Sequence, residues 1–231
     1  MAQGRLLDTD GQVIHPATGT PQGGIVSPIL ANVYLHYALD RWFEQTVKAH
    51  CRGPAYLCRY ADDFVCAVEL ESDAQRCYAV LGKRLEKFGL ETAPDKTRLI
   101  QFDQSSKQRF EFLGFEFYWG KSRKGKICLK RRTSRKKYRA SLANFNNGCK
   151  AQAHLPKLEL FTKLNRKLRG YWNYYGIRGN YQSLGEYFYF AQKILWKQLN
   201  RRSQRRSYTW VGFKVMLKHF RLTKPRICHS F

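Results

Sequence analysis

Residues 55–68 read AYLCRYADDFVCAV, two short apolar runs separated by a pair of adjacent aspartates. Both runs are rich in aromatic and β-branched residues, which is typical of β-strands. Because the linker between the runs is short, the pattern predicts a tight antiparallel hairpin with Asp62 and Asp63 at its tip. Adjacent carboxylates repel one another, so either a bound cation or a solvated acidic turn must account for them.

The chemistry of the two aspartates indicates which cation they could bind. Carboxylate oxygens are hard ligands, and Mg²⁺ takes one or two carboxylates together with water and substrate phosphates. Since adjacent residues of a strand point to opposite faces, we expect one of the two aspartates to carry the main ligation. Such a site is typical of phosphoryl-transfer chemistry, whereas a solvated hairpin turn would have no catalytic role.

Charge is distributed unevenly along the 231 residues, whose net charge is +25. Residues 120–231 contain 29 Lys and Arg but only two acids, a balance of +27, whereas residues 1–119 have a balance of −2. We therefore expect two regions with different partners, 1–119 and a basic region 120–231. A positive field of this size indicates nucleic acid as a partner, the alternatives being a solvated basic surface or an acidic membrane face.

Composition limits the class of protein. A hydrophobic content of 43% is enough for a substantial core, and no stretch has the roughly 20 apolar residues of a membrane span. The first residues lack the apolar segment of a signal peptide. The seven cysteines form no Cys-x-x-Cys pair, which indicates neither a disulfide framework nor a zinc site. We expect an intracellular, bacterial-type cytoplasmic protein, with an organellar location also open.

A glycine-rich loop, GTPQGG at residues 19–24, precedes a helical pattern. Ser27 is a suitable N-cap and Pro28 a suitable first helical residue. In the loop, Gln22 offers a donor and an acceptor, and Gly23 allows close backbone approach. The loop could thus contact a nucleotide or base pair, although an ordinary turn before a helix would read the same way.

Together, the loop and the YADD hairpin resemble the reverse transcriptases encoded by group II introns. FGLETAPDKT at 88–97, after a helix expected near 73–88, and FEFLGFEF at 110–117 follow in that family's order. The resemblance implies an α+β fold, in which a partial palm of antiparallel sheet and helices precedes an all-α thumb and maturase region, domain X. It also implies RNA-directed DNA synthesis with Mg²⁺, on an RNA template with a DNA primer and deoxynucleoside triphosphates.

The resemblance assigns roles to individual residues. Asp62 and Asp63 would be catalytic metal ligands, and Lys96 would assist the leaving pyrophosphate, although an ordinary surface lysine is equally consistent. A bulge at Gly114 could aim backbone toward the primer. The nucleotide or template would contact Gln22, Gly23, Tyr60 and Ala61, and the primer grip would comprise Leu113, Gly114 and Phe115.

Helical periodicity continues in the basic region. It predicts a helix capped by Thr133 or Ser134 with Gly148 as a possible stop, two longer amphipathic helices, and a last helix near 208–220. Most aromatic residues there lie at core spacing, while the roles of Tyr174 and Trp210 stay open. The expected RNA-binding residues are Lys130, Arg131, Arg132, Arg135, Lys136, Lys137, Arg201, Arg202, Arg205 and Arg206.

The chain departs from the family upstream of the loop, where relatives have finger motifs and a strand with a further metal-binding aspartate. Asp8 and Asp10 could replace it, but we interpret DTDG as a hairpin turn. We therefore expect a fragment with exposed apolar palm surface, inactive alone, whose partner could be a separate N-terminal fragment. No nuclease region is expected after PRICHSF at the end. The alternatives are a splicing cofactor without polymerase activity and a nonspecific RNA binder.

Overall fold

The computed structural model describes residues 6–7, 13–14, 26–105, 107–122, 124–201 and 207–229. The chain divides into two compact units, Met1–Gln101 and Phe102–Phe231. Strand β1 (Leu6–Leu7) pairs antiparallel with β2 (Val13–Ile14). The acids Asp8 and Asp10, which we assigned to the turn between these strands, lie outside the described residues.

In the first unit, helices support the central hairpin. Residues 27–50 are helical throughout: α1 (Ser27–Leu35) continues through π-helical turns at His36–Asp40 and Phe43–Val47 into α2 (Lys48–His50). Strands β3 (Ala55–Tyr60) and β4 (Asp63–Val68) pair antiparallel, and α3 (Glu71–Glu86) follows. The buried residues of this core are Ala38, Leu39, Phe43, Val47, Ala55, Cys77, Leu81 and Leu85.

The start of α1 differs from the expectation in one respect. Ser27 is not the N-cap, because Val26 already has helical angles, φ −86° and ψ −20°, and occupies that position without a side-chain hydrogen bond. Pro28 does lie in the first turn, as predicted. None of the residues of α1 is buried, and Ile29 and Val33 are 63% and 50% exposed. The expected exposed apolar surface is therefore present on this helix.

The second unit begins with a three-stranded antiparallel sheet in the order β5-β6-β7. Its strands are β5 (Phe110–Phe112), β6 (Phe115–Lys121) and β7 (Ile127–Thr133). The register pairs Phe110 with Phe117, whose rings stack with centroids 5.0 Å apart. Cross-strand aromatic pairs of this kind contribute roughly 0.2–1 kcal/mol each to sheet stability.

Four helices complete the second unit: α4 (Arg135–Ala151), α5 (Lys157–Tyr175), α6 (Tyr181–Asn200) and α7 (Trp210–His219). The apolar stripes predicted for α5 and α6 are confirmed, since Leu168, Trp172, Leu184 and Leu195 are all at most 1% exposed. Burying a side chain of this size contributes roughly 1.5–3 kcal/mol.

Gly148 does not end α4, which continues to Ala151. A glycine costs about 1 kcal/mol within a helix but does not break it. A Cβ at this position would lie 3.2 Å from Lys167 Nζ, so the glycine leaves room for that side chain. The stop we predicted there is therefore wrong.

The α+β fold class is confirmed, with small antiparallel sheets followed by a helical region. The region after Gly120 is not entirely helical, however, because β7 lies within it. Gly120 itself lies inside β6, whereas the contacts divide the chain after Gln101. None of the helices among the described residues is long and apolar enough to cross a membrane.

Candidate active site and nucleic-acid interface

The hairpin tip brings the two adjacent aspartates to the surface. Tyr60 pairs with Asp63, so the turn consists of Ala61 and Asp62 alone. Ala61 has a positive φ of 53°, which is uncommon for a residue with a Cβ and allows the two-residue turn. Asp62 and Asp63 are both exposed. The sequence therefore places two carboxylates at an exposed hairpin tip.

The hairpin has one face against the helices and one face toward solvent. Along β3 the burial alternates: Ala55 is buried, while Tyr56 and Tyr60 are 66% and 67% exposed. On β4, Cys66 packs against the helical core with its thiol beside that of Cys77. The hydrogen bond between the Cys66 and Cys77 thiols, together with burial, raises the pKa of the Cys66 thiol.

Arg59 attaches the hairpin to the preceding helical segment. Its Nε and Nη2 donate to the two carboxylate oxygens of Asp40, each at 2.7 Å. Its Nη1 donates to Asn32 Oδ1 at 2.9 Å and to the Ala61 carbonyl at 2.8 Å. One guanidinium thus binds the helix and the turn beside Asp62 at the same time.

The Asp40–Arg59 ion pair shifts both groups toward their charged forms. The hydrogen bond from Arg59 holds the pKa of Asp40 below its usual value, against the opposing effect of burial. The same bond raises the pKa of Arg59. The Arg59 side chain is only 12% exposed, so the pair is better shielded from salt than a surface pair. Nothing in the local sequence pattern indicated this role for Arg59.

Asp62 and Asp63 fit part of a magnesium site. Two exposed carboxylates supply the number of protein ligands that Mg²⁺ usually takes, and substrate phosphates and water supply the rest. Among the described residues, there is no group of three or more His, Cys, Asp and Glu side chains that could hold a metal ion. The two aspartates would hold such an ion only together with further ligands, because they supply two carboxylates and not a closed cage.

Lys96, the third predicted catalytic residue, is not part of the hairpin. Lys96 is exposed in a turn after α3, where its backbone N–H and that of Thr97 donate to the Ala93 carbonyl at 3.0 and 2.9 Å. Gln22 and Gly23 lie outside the described residues.

The expected primer grip is a tight turn and not a bulge. Leu113 and Gly114 have φ of 49° and 77° and join β5 to β6 directly, because Phe112 pairs with Phe115. Two successive positive φ angles are typical of a two-residue hairpin. The alternation of the strands is compatible with either geometry, and a leucine gives no local signal for positive φ. The bulge we predicted is therefore wrong.

Two helices hold this turn in position. The Tyr174 hydroxyl, near the end of α5, donates to the Leu113 carbonyl at 2.9 Å. The Ser134 N–H, at the start of α4, donates to the Gly114 carbonyl at 2.9 Å. The Tyr174 ring also stacks on Phe115 with centroids 6.0 Å apart. Tyr174, whose role the sequence left open, therefore supports the turn.

A buried asparagine joins the sheet to the helices of the second unit. Asn180 is 1% exposed; its Oδ1 accepts from the Thr133 N–H, and its Nδ2 donates to Thr133 Oγ1 and the Tyr175 carbonyl, all at 2.9 Å. Because buried polar groups need partners, this residue fixes the ends of β7 and α5 relative to α6. Sequence reasoning missed it, since its partners are distant along the chain.

The predicted RNA-binding residues occupy different environments. Ser134 caps α4 as predicted, accepting a hydrogen bond from the Lys137 N–H at 3.4 Å. The three basic residues of the first turn of α4, Arg135, Lys136 and Lys137, are exposed. They are available for phosphate contacts, and no acidic residue lies in that turn.

The basic residues of β7 are less accessible. Lys130, Arg131 and Arg132 are half-buried, and Arg132 forms an ion pair with Glu116 while its guanidinium lies 5.2 Å from the ring centroid of Tyr118. Arg201, at the end of α6, is exposed, whereas Arg202, Arg205 and Arg206 lie outside the described residues. The first turn of α4 is therefore the best-exposed cluster among the predicted residues that the structure describes.

Part of the chain is similar to known proteins. Residues 5–117 match the family described as reverse transcriptase (RNA-dependent DNA polymerase). The chain is also similar to Protein YkfC of Escherichia coli (strain K12), with 30% identity over 139 residues, covering 47% of this chain and 35% of the relative. The match thus spans about a third of the length of that relative. The matched residues 5–117 include the YADD hairpin.

Proposed function

We propose that this chain contributes the catalytic hairpin and the RNA-binding region of a group II intron reverse transcriptase and maturase. The observation that carries the proposal is the pair of exposed carboxylates, Asp62 and Asp63, at the tip of a hairpin within the matched residues 5–117. The ordered motifs around it support the group II intron class. On this proposal, residues 1–119 belong to the palm and residues 120–231 to the thumb and maturase region.

The proposed reaction joins a primer 3′-hydroxyl to an incoming deoxynucleotide on an RNA template, releasing pyrophosphate. Asp62 and Asp63 would hold Mg²⁺, which supplies charge stabilisation of the attacking and leaving oxygens. Arg59 fixes the Ala61 carbonyl and hence the turn that presents both carboxylates. The exposed Tyr60 would lie near the primer end, and Lys96 would donate a proton to pyrophosphate.

A complete site needs a further carboxylate. Two-metal catalysis clamps both ions between ligands, and the described residues bring together only Asp62 and Asp63 at the hairpin tip. We propose that the missing ligand comes from outside the described residues, either from Asp8 or Asp10 or from a separate polypeptide. The exposed apolar side chains of α1 offer a surface that such a polypeptide could cover.

A second candidate is an RNA-binding splicing cofactor without polymerase activity. The observation that favours it is the placement of the charge: Arg135, Lys136 and Lys137 are exposed on α4, in a unit that does not contain the hairpin. RNA binding by these residues requires neither Asp62 nor Mg²⁺.

Primer extension tests both candidates. The chain is incubated with an annealed RNA template and DNA primer, deoxynucleoside triphosphates and Mg²⁺, beside an Asp62→Ala variant, and RNA binding is measured on the same samples. We expect the chain alone to bind RNA without extending the primer, because the described residues place only two carboxylates at the hairpin tip.

Each other outcome changes the assignment in a defined way. Extension that Asp62→Ala abolishes would show that this chain supplies the third ligand itself, and Asp8→Ala and Asp10→Ala would then locate it. Extension that survives Asp62→Ala would contradict the role of the hairpin. Protection of a group II intron RNA but not of unrelated structured RNAs supports the maturase role, whereas equal protection of all of them favours a nonspecific binder.

A further inference from the structure

The outer face of α6 carries aromatic side chains that the core does not use. Leu184, Tyr187 and Leu195 point inward and are at most 1% exposed. Tyr189 and Phe190 project outside this buried side and are 49% and 44% exposed. Leaving two adjacent large rings in water forgoes the stabilisation that their burial would give.

Cationic side chains continue the row that Tyr189 begins. Lys193, Lys197 and Arg201 follow at intervals of four residues, which places them one above another on the same face of a helix. All three are exposed, and Lys193 Nζ lies 4.5 Å from the ring centroid of Tyr189. We call Tyr189, Phe190, Lys193, Lys197 and Arg201 the α6 stripe.

Each nucleotide of an unpaired RNA offers two groups that match this stripe, a phosphate and an aromatic base. Proteins that bind single strands combine a cationic track for the backbone with aromatic side chains on which bases stack. In the α6 stripe both features lie on one exposed helical face, within a region whose formal balance is +27. An anionic membrane would also attract these lysines, but two rings on one helix offer little apolar area for insertion.

We propose that the α6 stripe binds unpaired RNA nucleotides, with bases stacked on Tyr189 and Phe190 and phosphates held by Lys193, Lys197 and Arg201. The proposal rests on the proposed RNA-binding function and names the part of the RNA that this surface takes. From sequence spacing alone, most aromatic residues of this region are expected in the core. The exposure of Tyr189 and Phe190 in the structure shows that these two rings are not part of it.

Glu186 marks where the stripe ends. It lies one turn before Phe190 on the exposed side of α6, where its Oε1 accepts from Gln182 Nε2 at 3.1 Å. A carboxylate repels phosphates, so the RNA would run from the two rings toward Arg201. Tyr181, 56% exposed and two turns before Tyr189, lies beyond Glu186 and provides a matched control on the same helix.

The test compares the affinity of the full chain for two RNAs, a fluorescent 12-nucleotide oligouridine and a blunt RNA duplex of the same length. Because stacking contributes about 1–3 kcal/mol per base, Tyr189→Ala with Phe190→Ala should weaken oligouridine binding by roughly tenfold or more. Duplex binding should change less than about twofold, since the bases inside a duplex are already stacked on one another. Tyr181→Ala should alter neither affinity.

The lysines and the site of contact are tested separately. Lys193→Gln with Lys197→Gln should weaken binding to both RNAs. It should also reduce the slope of log affinity against log salt for oligouridine by about 1.4. Oligomers containing 4-thiouridine should crosslink to α6 near Tyr189 in the wild-type chain. Circular dichroism and urea unfolding confirm that each variant is folded, and a misfolded double variant is replaced by Tyr189→Leu with Phe190→Leu.

Several results would overturn the proposal. One is an equal loss of affinity for oligouridine and for the duplex in the aromatic variant. Another is a loss of oligouridine affinity in Tyr181→Ala as large as in the aromatic variant. A third is crosslinking confined to other helices. Loss of binding to anionic phospholipid vesicles with unchanged RNA affinity would assign the stripe to a membrane surface. If the wild-type chain binds neither RNA, the proposed RNA-binding function itself fails; if it binds oligouridine and the aromatic variant does so equally, only the stripe fails.

Discussion

Leu113 and Gly114 show how a few backbone angles define the candidate primer grip. Leu113 has a φ of 49°, a left-handed conformation that costs an ordinary residue roughly 1–2 kcal/mol. The Tyr174 hydroxyl and the Ser134 N–H bind the two carbonyls of the turn and so offset this strain. Strained turns that are held by their surroundings are frequent at functional sites, which supports the proposed role of this turn.

Replacing Gly114 by alanine tests the packing of the turn. Gly114 and Gly125 share the same φ of 77°, but a Cβ at Gly114 would lie 3.1 Å from Tyr175 Oη, whereas a Cβ at Gly125 meets nothing within 4 Å. Gly125→Ala should therefore lower the free energy of unfolding by about 1 kcal/mol, through backbone strain alone. Gly114→Ala should lower it by about 1–3 kcal/mol more, because the new Cβ crowds Tyr175. Urea unfolding of both variants measures the difference, and equal losses would contradict the close packing of Tyr175 on the turn.

At the residue scale, the sequence indicated the position of the paired aspartates better than it indicated backbone geometry. Asp62 and Asp63 were recognised because charged residues between two apolar strands stand out. Their exposure at the tip follows from the two-residue turn. The sequence did not indicate the positive φ of Leu113 or the N-cap position of Val26. Neither residue type is typical of the conformation that it adopts.

At the scale of elements, the contact between the hairpin and the helical segment depends on Arg59. Nineteen residues separate it from Asp40. Such a pair cannot be predicted from local patterns, because it forms only after β3 packs against the helix. The stripes of α5 and α6 could be predicted, since helical periodicity alone determines which side chains face a common core.

Removing the Asp40–Arg59 pair should loosen the hairpin. Asp40→Asn or Arg59→Gln should each lower the free energy of local opening by about 1.5–3 kcal/mol, the range for hydrogen bonds to charged groups. Hydrogen exchange of residues 55–68, followed by mass spectrometry, measures this opening. Lys48→Gln removes the exposed Lys48–Glu44 pair of the same helical segment and should cost only about 0.3–0.5 kcal/mol.

The effect should also depend on pH in a defined direction. The pKa of Asp40 is lower in the folded chain than in the unfolded chain. The ion pair therefore contributes its full stabilisation of the fold above the unfolded pKa of about 3.9. This contribution is lost as the pH falls through the folded pKa. The difference in the free energy of local opening between the wild type and Asp40→Asn should have its full size at pH 6 and diminish below about pH 4. A difference that grows on acidification would contradict the ion pair.

The whole molecule combines a nearly neutral first half with a strongly basic second half. Residues 120–231 have a balance of +27, against −2 for residues 1–119. Composition alone revealed this division and predicted a polyanionic partner. It could not show which cations are available, because that depends on folding: Arg132 is paired with Glu116, while the first turn of α4 is exposed.

The salt dependence of RNA binding tests this division. If the exposed cations of the second unit contact phosphates, changing Arg135, Lys136 and Lys137 to Gln should reduce the slope of log affinity against log salt for oligouridine by about 2. Changing Lys83 and Lys87, exposed on the first unit, should leave the slope unchanged. An equal reduction in both variants would show that binding follows net charge and not this surface.

Metal-directed cleavage tests whether Asp62 and Asp63 bind a metal ion at the hairpin tip. Fe²⁺ is added in place of Mg²⁺ to the chain with an RNA–DNA hybrid, and ascorbate and peroxide generate hydroxyl radicals at the bound ion. We expect backbone cuts near residues 60–64 that excess Mg²⁺ suppresses and that Asp62→Ala with Asp63→Ala abolishes. Cuts that persist in that variant, or no cuts at the hairpin of a folded, RNA-bound chain, would contradict the assignment of these two aspartates as metal ligands.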